Sequence, residues 1–308
     1  MIPRRERRRA ELTATAGLAA CALSCVPNLS NDDSLIDSTR VLAVRADPAE
    51  AKPGATVTFT ALVAGSTGTV PSAPVAWDFC TAPKPLTDDN IVSDACLDSS
   101  SLVGAGTGES TVATTPTNGC SLFGPDTPPG GFRPVDPDET GGYYQPLRAE
   151  LPGTDATFEL ARIQCDLANA PSAAVIQFTA SYHANLNPTL SPLTATIGGT
   201  TAQLASVHAG ARVILTASWP ATSAETYAYF DPSSQTVITR RESMQVAWYS
   251  TAGSLDTEST GRAEDDPATQ TTDGWSAPAA AGTAHLWIVL RDSRGGVAFA
   301  SYDVAVAP

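Results

Sequence analysis

The sequence predicts an all-β protein of two antiparallel sandwiches, the first carrying a long, irregular, disulfide-held insertion. Three observations predict it. Short runs rich in Val, Thr, Phe and Leu alternate apolar with polar residues, as in residues 56–64 (TVTFTALVA), the period of a half-buried strand. The 23 Gly and 24 Pro of 308 residues punctuate these runs as turns require. Trp77 and Trp248 lie inside two of them, where a large ring would fill the space between sheets. The length suits two ordinary domains. A net charge of −14 argues against a nucleic-acid partner, which needs a basic face. A 42% apolar fraction argues against a wholly disordered chain.

The first element is an address. Arg4, Arg5, Arg7, Arg8 and Arg9 precede a small and apolar stretch, residues 12–24, that ends at Cys25. This reads as an export signal, residues 1–24, too short to span a bilayer. Small residues before a cysteine resemble the lipobox of bacterial lipoproteins. The resemblance implies a diacylglycerol on the cysteine thiol and cleavage just before it. Leu18-Ala19-Ala20-Cys21 is closer to the family motif, whereas Ala22-Leu23-Ser24-Cys25 has Ala where Leu is usual. Cleavage at Cys25 uses the longer apolar stretch and leaves four further cysteines, while cleavage at Cys21 leaves five. An even number suits an oxidising compartment. Cys25 is therefore the expected lipidation site and Cys21 the alternative; an ordinary cleaved signal without lipid is the plainer reading. Val26, rather than Asp, follows Cys25, which by the same resemblance implies the outer membrane. Removing residues 1–24 takes away five arginines and two glutamates, so the mature chain is more acidic still.

Residues 25–39 are polar and aperiodic and read as a flexible tether. The first sandwich is expected over residues 40–218. Residues 40–46, 56–64 and 75–80 read as its opening strands. Residues 156–160, 175–182 and 213–217 read as its later ones. Between them, residues 81–153 lose the rhythm, with Gly, Pro, Ser, Thr and Asp dominant. A loop of that length is either functional or disordered. Phe132, Tyr143 and Tyr144 within it suit a glycan or protein partner, or simply pack the loop onto its own sandwich. The run Asp47-Pro48, Pro53-Gly54, residues 57–61 and Trp77 resembles the front of bacterial immunoglobulin-like domains.

Cys80, Cys96, Cys120 and Cys165 surround the insertion at spacings that match no zinc signature. In an exported protein they read as two disulfides. Three connectivities are open; the expected one closes the insertion with Cys96–Cys120 and clamps its base with Cys80–Cys165.

The second sandwich is expected over residues 219–308. Residues 245–249 form a strand ending in Trp248-Tyr249, and Ser250-Thr251-Ala252-Gly253 a turn. An acidic loop, residues 256–273, precedes Gly274-Trp275-Ser276-Ala277-Pro278. Strands at residues 285–290 and 297–306 flank Asp292-Ser293-Arg294-Gly295-Gly296. This order resembles bacterial immunoglobulin-like domains of the polycystic-kidney-disease type, over about the last 90 residues.

Chemistry is sparse. His183, His208 and His285 have no partner at motif spacing, and no nucleophile elbow, zinc-protease helix or phosphate loop occurs. Asp88-Asp89, Asp136 to Glu139 and Glu264-Asp265-Asp266 suit calcium by ligand type, or keep the protein soluble. No catalytic residue, cofactor or metal is assigned. The expected function is an exported, lipid-anchored cell-envelope protein that binds a protein or glycan partner or plays a structural part, with the membrane reached through its lipid. The alternatives are a carbohydrate-active envelope enzyme with its site in residues 81–153, and a calcium-dependent adhesin.

Overall fold

The computed structural model describes residues 33–84, 92–125, 139–167 and 169–308. The leader, with Cys21 and Cys25, lies outside the described residues. In chain order the first part comprises β1 (Arg40–Asp47), β2 (Glu50–Ala51), β3 (Thr56–Gly65), β4 (Gly68–Thr69), β5 (Ala76–Cys80) and the short helix α1 (Asp94–Leu97). It continues with β6 (Leu102–Thr107), β7 (Ser110–Thr114), α2 (Gly119–Phe123), β8 (Gly142–Glu150), β9 (Thr157–Gln164) and α3 (Ser172–Ser181). Next come β10 (Thr194–Ile197), β11 (Thr200–Gln203), β12 (Ser206–His208), β13 (Arg212–Ser218), β14 (Thr226–Asp231) and β15 (Thr236–Arg241). The chain ends with β16 (Met244–Ser250), β17 (Ser254–Leu255), β18 (Ser259–Arg262), β19 (Gln270–Ser276), β20 (Gly282–Asp292) and β21 (Val297–Ala307).

The alternation in β3 does what its period requires. Val57, Phe59, Ala61 and Val63 enter a core with Trp77, Phe79 and Leu147. One sheet has β3 paired with β1, β4 and β7; the facing sheet runs β2-β9-β8-β5-β6. A second sandwich stacks β11-β10-β13-β19-β17 on β12-β21-β20-β16-β18. Trp248 and Trp275 fill its core with Leu215, Leu286, Ile288 and Leu290. The all-β class is as expected.

A third apolar layer joins the two sandwiches face to face. Leu42, Ala43, Leu62 and Ala64 from β1 and β3 meet Trp287, Val289 and Val297 from β20 and β21. β20 is thus buried on both faces, which explains the unbroken run LWIVL at residues 286–290. At about 1.5–3 kcal/mol per fully buried side chain, an upper estimate, this layer is a main tie between the sandwiches.

Several expectations are corrected. Residues 175–182 are helix, not strand: α3 buries Ala174 and Phe178, with Ala170 and Tyr182 packed on the same small core. That four-residue spacing is a helical stripe. The supposed insertion 81–153 supplies β6, β7 and β8 to both sheets of the first sandwich. β8 pairs with β5 on one side and β9 on the other, so it is central. The junction expected at residue 218 falls within one sheet, since β13 pairs with β10 and with β19.

The disulfides are Cys80–Cys96 and Cys120–Cys165, not the expected Cys96–Cys120 and Cys80–Cys165. Residues 97–119 carry β6 in one sheet and β7 in the other, so the chain between Cys96 and Cys120 crosses the sandwich. Each cysteine instead bonds beside its nearest strand end. Thr81 N–H donates to the Ser101 carbonyl at 2.9 Å, folding the α1 segment back onto the end of β5. α2 lies against β8 and β9, bringing Cys120 to Cys165.

Candidate functional site

One hairpin has no counterpart in the sequence reading. β14 and β15 pair only with each other among the described residues. A two-stranded hairpin is marginal alone. Here α3 covers it, with Leu167, Ala174, Phe178, Ala228 and Phe230 forming a small separate core. Two grooves flank α3. One, of about 280 Å³, is lined by Cys165, Leu167 and Phe178 among others; the other, about 410 Å³, by Gln177, His183, Tyr227 and Ile238 among others. Beneath this helix–hairpin layer, where it meets both sandwiches, lies the candidate functional site: a buried ionic joint.

The joint begins on neighbouring strands. β2 pairs with β9 so that Glu50 stands opposite Arg162. Arg162 Nε donates to Glu50 Oε2 at 3.0 Å, with both side chains sealed from solvent. Arg162 Nη2 also donates to Thr140 Oγ1 at 2.8 Å. Gly142 makes room for the guanidinium: a Cβ there would fall 2.1 Å from Arg162 Cζ. Tyr182 Oη donates to Glu50 Oε1. Asn185 N–H donates to Glu50 Oε2 at 2.8 Å.

Asn185 carries the network across. Its Nδ2 donates to Asp292 Oδ1 at 3.2 Å. Asp292 closes the β20–β21 turn by accepting from the Arg294 and Gly296 N–H groups, each at 2.9 Å. Gly295 has φ +99° and Gly296 leaves space that a Cβ, 2.1 Å from Asp292 Oδ2, would fill. The turn motif noticed in the sequence thus needs its glycines, but Arg294 turns inward. It is 2% exposed. Arg294 Nε donates to Glu242 Oε1 at 2.7 Å, Nη2 to Glu225 Oε2 at 3.1 Å and Nη1 to the His183 carbonyl at 3.1 Å. Its guanidinium also lies 4.8 Å from the Tyr227 ring centroid, a cation–π distance. Glu242 Oε2 accepts from Glu225 N–H at 2.8 Å.

Burial and the nearby charge of Asp292 push the Glu242 carboxyl up to about 7, against the pull of Arg294. Burial likewise raises Asp292. Such a network ties elements together most firmly where its members are partnered; Asn185 Oδ1, at its middle, is buried without a hydrogen-bond partner. Chemically it can hold charge and protons; it presents no open nucleophile.

The sequence-predicted residues lie elsewhere. Cys80, Cys96, Cys120 and Cys165 form the disulfides. Tyr143 is buried and Tyr144 lies over Arg162 at 5.8 Å, so both pack onto their own sandwich; Phe132 lies outside the described residues. The histidines stand on separate elements. His183 contributes its carbonyl to Arg294, His208 Nδ1 is 3.1 Å from the Pro308 carbonyl, and His285 Nδ1 is 2.7 Å from Asp303 Oδ1. Asp88, Asp89 and Asp136 to Asp138 lie outside the described residues. Glu264 and Asp266 are engaged by Arg240 and Arg262, at 2.6 and 3.0 Å. Among the described residues no group of three His, Cys, Asp or Glu is placed to hold a metal ion.

Sequence reasoning missed Glu50, Arg162, Glu225 and Glu242. Their only signal is a charge inside or beside an apolar strand, as with Arg162 in residues 157–164 (TFELARIQ).

No protein-family model matches the chain, and no curated protein matches its sequence. Among solved structures it is similar to the Yersinia pseudotuberculosis adhesin InvE, at 12% identity and a TM-score of 0.23, over 86% of this chain and 58% of that one. It is similar to domains 4 and 5 of the S-layer protein SbsC, at 10% identity and 0.20, over 87% of this chain and all of that one. Native E. coli alpha-2-macroglobulin gives 11% and 0.25, over 86% of this chain and 16% of that one. Scores of this size assign neither ligand nor activity.

Proposed function

We propose that this protein is exported to the bacterial cell envelope, anchored there by lipid on Cys25, and acts as a rigid binding or structural module without catalytic activity or cofactor. The observation that carries the reading is the closure of Cys80, Cys96, Cys120 and Cys165 into two disulfides. Disulfides persist in oxidising compartments, and a basic, apolar, cysteine-ended leader precedes these four. Two sandwiches tied by an apolar layer and a buried ionic joint give a stiff body, and the end of the expected tether is docked on it rather than flexible: Ile36 is buried in that layer and its N–H donates to the Ser250 carbonyl at 2.9 Å. That form suits presentation of a surface to a protein or glycan partner. Cys21 is the alternative lipid site, and the outer membrane is the expected destination.

The test is incorporation of an alkyne-tagged palmitate in cells, followed by fractionation. Wild type is expected to label and to sediment with membranes, and Cys25→Ala to lose both. Label retained in Cys25→Ala and lost in Cys21→Ala moves the site; no label in any form overturns the lipid anchor. Deleting residues 81–153 is not a usable probe of partner binding, because it removes the central strand β8.

A further inference from the structure

The ionic joint is unbalanced in charge. Arg162 is answered by Glu50. Arg294 faces three carboxylates: Glu242, Glu225 and, through the turn they share, Asp292. The groups around Glu242 come from every neighbouring element. Arg294 and Asp292 come from the β20–β21 turn, Glu225 and Tyr227 from the start of the hairpin, and the His183 carbonyl, which accepts from Arg294, from the linker after α3. Next to Glu242, Arg241 donates to the Asp266 carbonyl. Glu242 and Asp292 are 1% and 6% exposed, and like charges sealed from water favour retention of a proton.

Position gives the proton a mechanical consequence. Glu242 and Glu225 form the root of the hairpin, joined by Glu242 N–H to the Glu225 carbonyl at 2.9 Å and by Glu225 N–H to Glu242 Oε2. Beyond that root the hairpin is held by its small core with α3, by the Arg240–Glu264 pair at 2.6 Å and by Phe230 N–H donating to the Glu139 carbonyl at 2.9 Å.

We propose that the joint is a proton-operated latch on the helix–hairpin layer. A proton held on Glu242 at the hairpin root keeps that root closed, and its loss loosens the root while both sandwiches stay folded. The direction follows from the raised Glu242 carboxyl. A carboxyl raised on folding contributes stability fully present below its ordinary value near 4.5 and lost as pH rises through about 7.

The test is hydrogen exchange at pH 6 and pH 8, expressed as protection factors corrected for intrinsic rates. In wild type, β14 and β15 amides are expected to lose about tenfold in protection over that interval, while β3 and β20 hold theirs. In Glu242→Gln the loss in the hairpin disappears. Unchanged protection in wild type, or an equal loss in Glu242→Gln, overturns the latch. If Glu242→Gln does not fold, the Glu242 carboxyl carbon is followed by NMR in the wild-type protein. A midpoint near 7 supports the latch, and one at or below 4.5 overturns it.

Discussion

Replacing Arg294 with Met removes the guanidinium on which the second half of the joint converges, at similar volume. Three side-chain hydrogen bonds are lost, to Glu242, Glu225 and the His183 carbonyl. Breaking a buried ion pair by removing one partner costs about 3–5 kcal/mol, because the other charge stays buried and unpaired. That figure applies where Glu242 is ionised. At pH 8, above its elevated midpoint of about 7, Arg294→Met is expected to destabilise by about 4 kcal/mol. At pH 5 Glu242 is protonated and the loss shrinks to about 2 kcal/mol, that of ordinary hydrogen bonds. Urea unfolding followed by fluorescence of the buried tryptophans measures both. The double variant Arg294→Met, Glu242→Met removes the more deeply buried of the two carboxylates that Arg294 pairs with, leaves Glu225 accepting from Leu186 N–H at 3.0 Å, and is expected to recover at least half of the pH 8 loss. A single-variant loss below about 1 kcal/mol at pH 8, or equal losses at both pH values, refutes the reasoning.

Other expectations are independent of the joint. Trp287→Ala empties the layer between the sandwiches and breaks the Trp287 Nε1 bond to Thr69 Oγ1 at 2.9 Å. Thermal unfolding is expected to show about 3–5 kcal/mol lost. Gly253 has φ +82°, and a Cβ there would fall 2.3 Å from the Ser276 carbonyl and 2.6 Å from Trp275 Nε1. Gly253→Ala is therefore expected to lower stability by about 2 kcal/mol or more and to perturb Trp275 fluorescence. Cys80 and Cys96 are fully buried, whereas Cys120 and Cys165 are partly exposed. Mild reductant is expected to open Cys120–Cys165 first, as read by timed alkylation and mass analysis. Removing that bridge, which closes 45 residues, is expected to cost about 4 kcal/mol, against about 3 for Cys80–Cys96.

Much of the fold was legible because strand period and tryptophan placement are local. β3, β5, β16 and β20 form where the alternation or apolar runs lie, and Trp77 and Trp248 are in cores. α3 was misread because Val175, Ile176 and Thr179 look like strand residues, while Ile176 is 73% exposed and the stripe that counts is Ala174 and Phe178. β6 and β7 were hidden by position. Each pairs on one side only, so LVGAGT and STVAT carry little apolar pattern. The joint was not legible at all. Glu50 and Arg162, like Glu242 and Arg294, are far apart in sequence, and only β-pairing and the β20–β21 turn bring them together. The cysteine pairing depended likewise on knowing that β6 and β7 lie in different sheets.

The proposed export, disulfide pairing and lipid anchoring form one linked expectation. Its most direct test is non-reducing peptide mass analysis of the protein isolated from its own cells. The expected result is an acylated amino terminus at Cys25, with Cys80 linked to Cys96 and Cys120 to Cys165. A chain that begins at Met1 with Cys80, Cys96, Cys120 and Cys165 all free would contradict it.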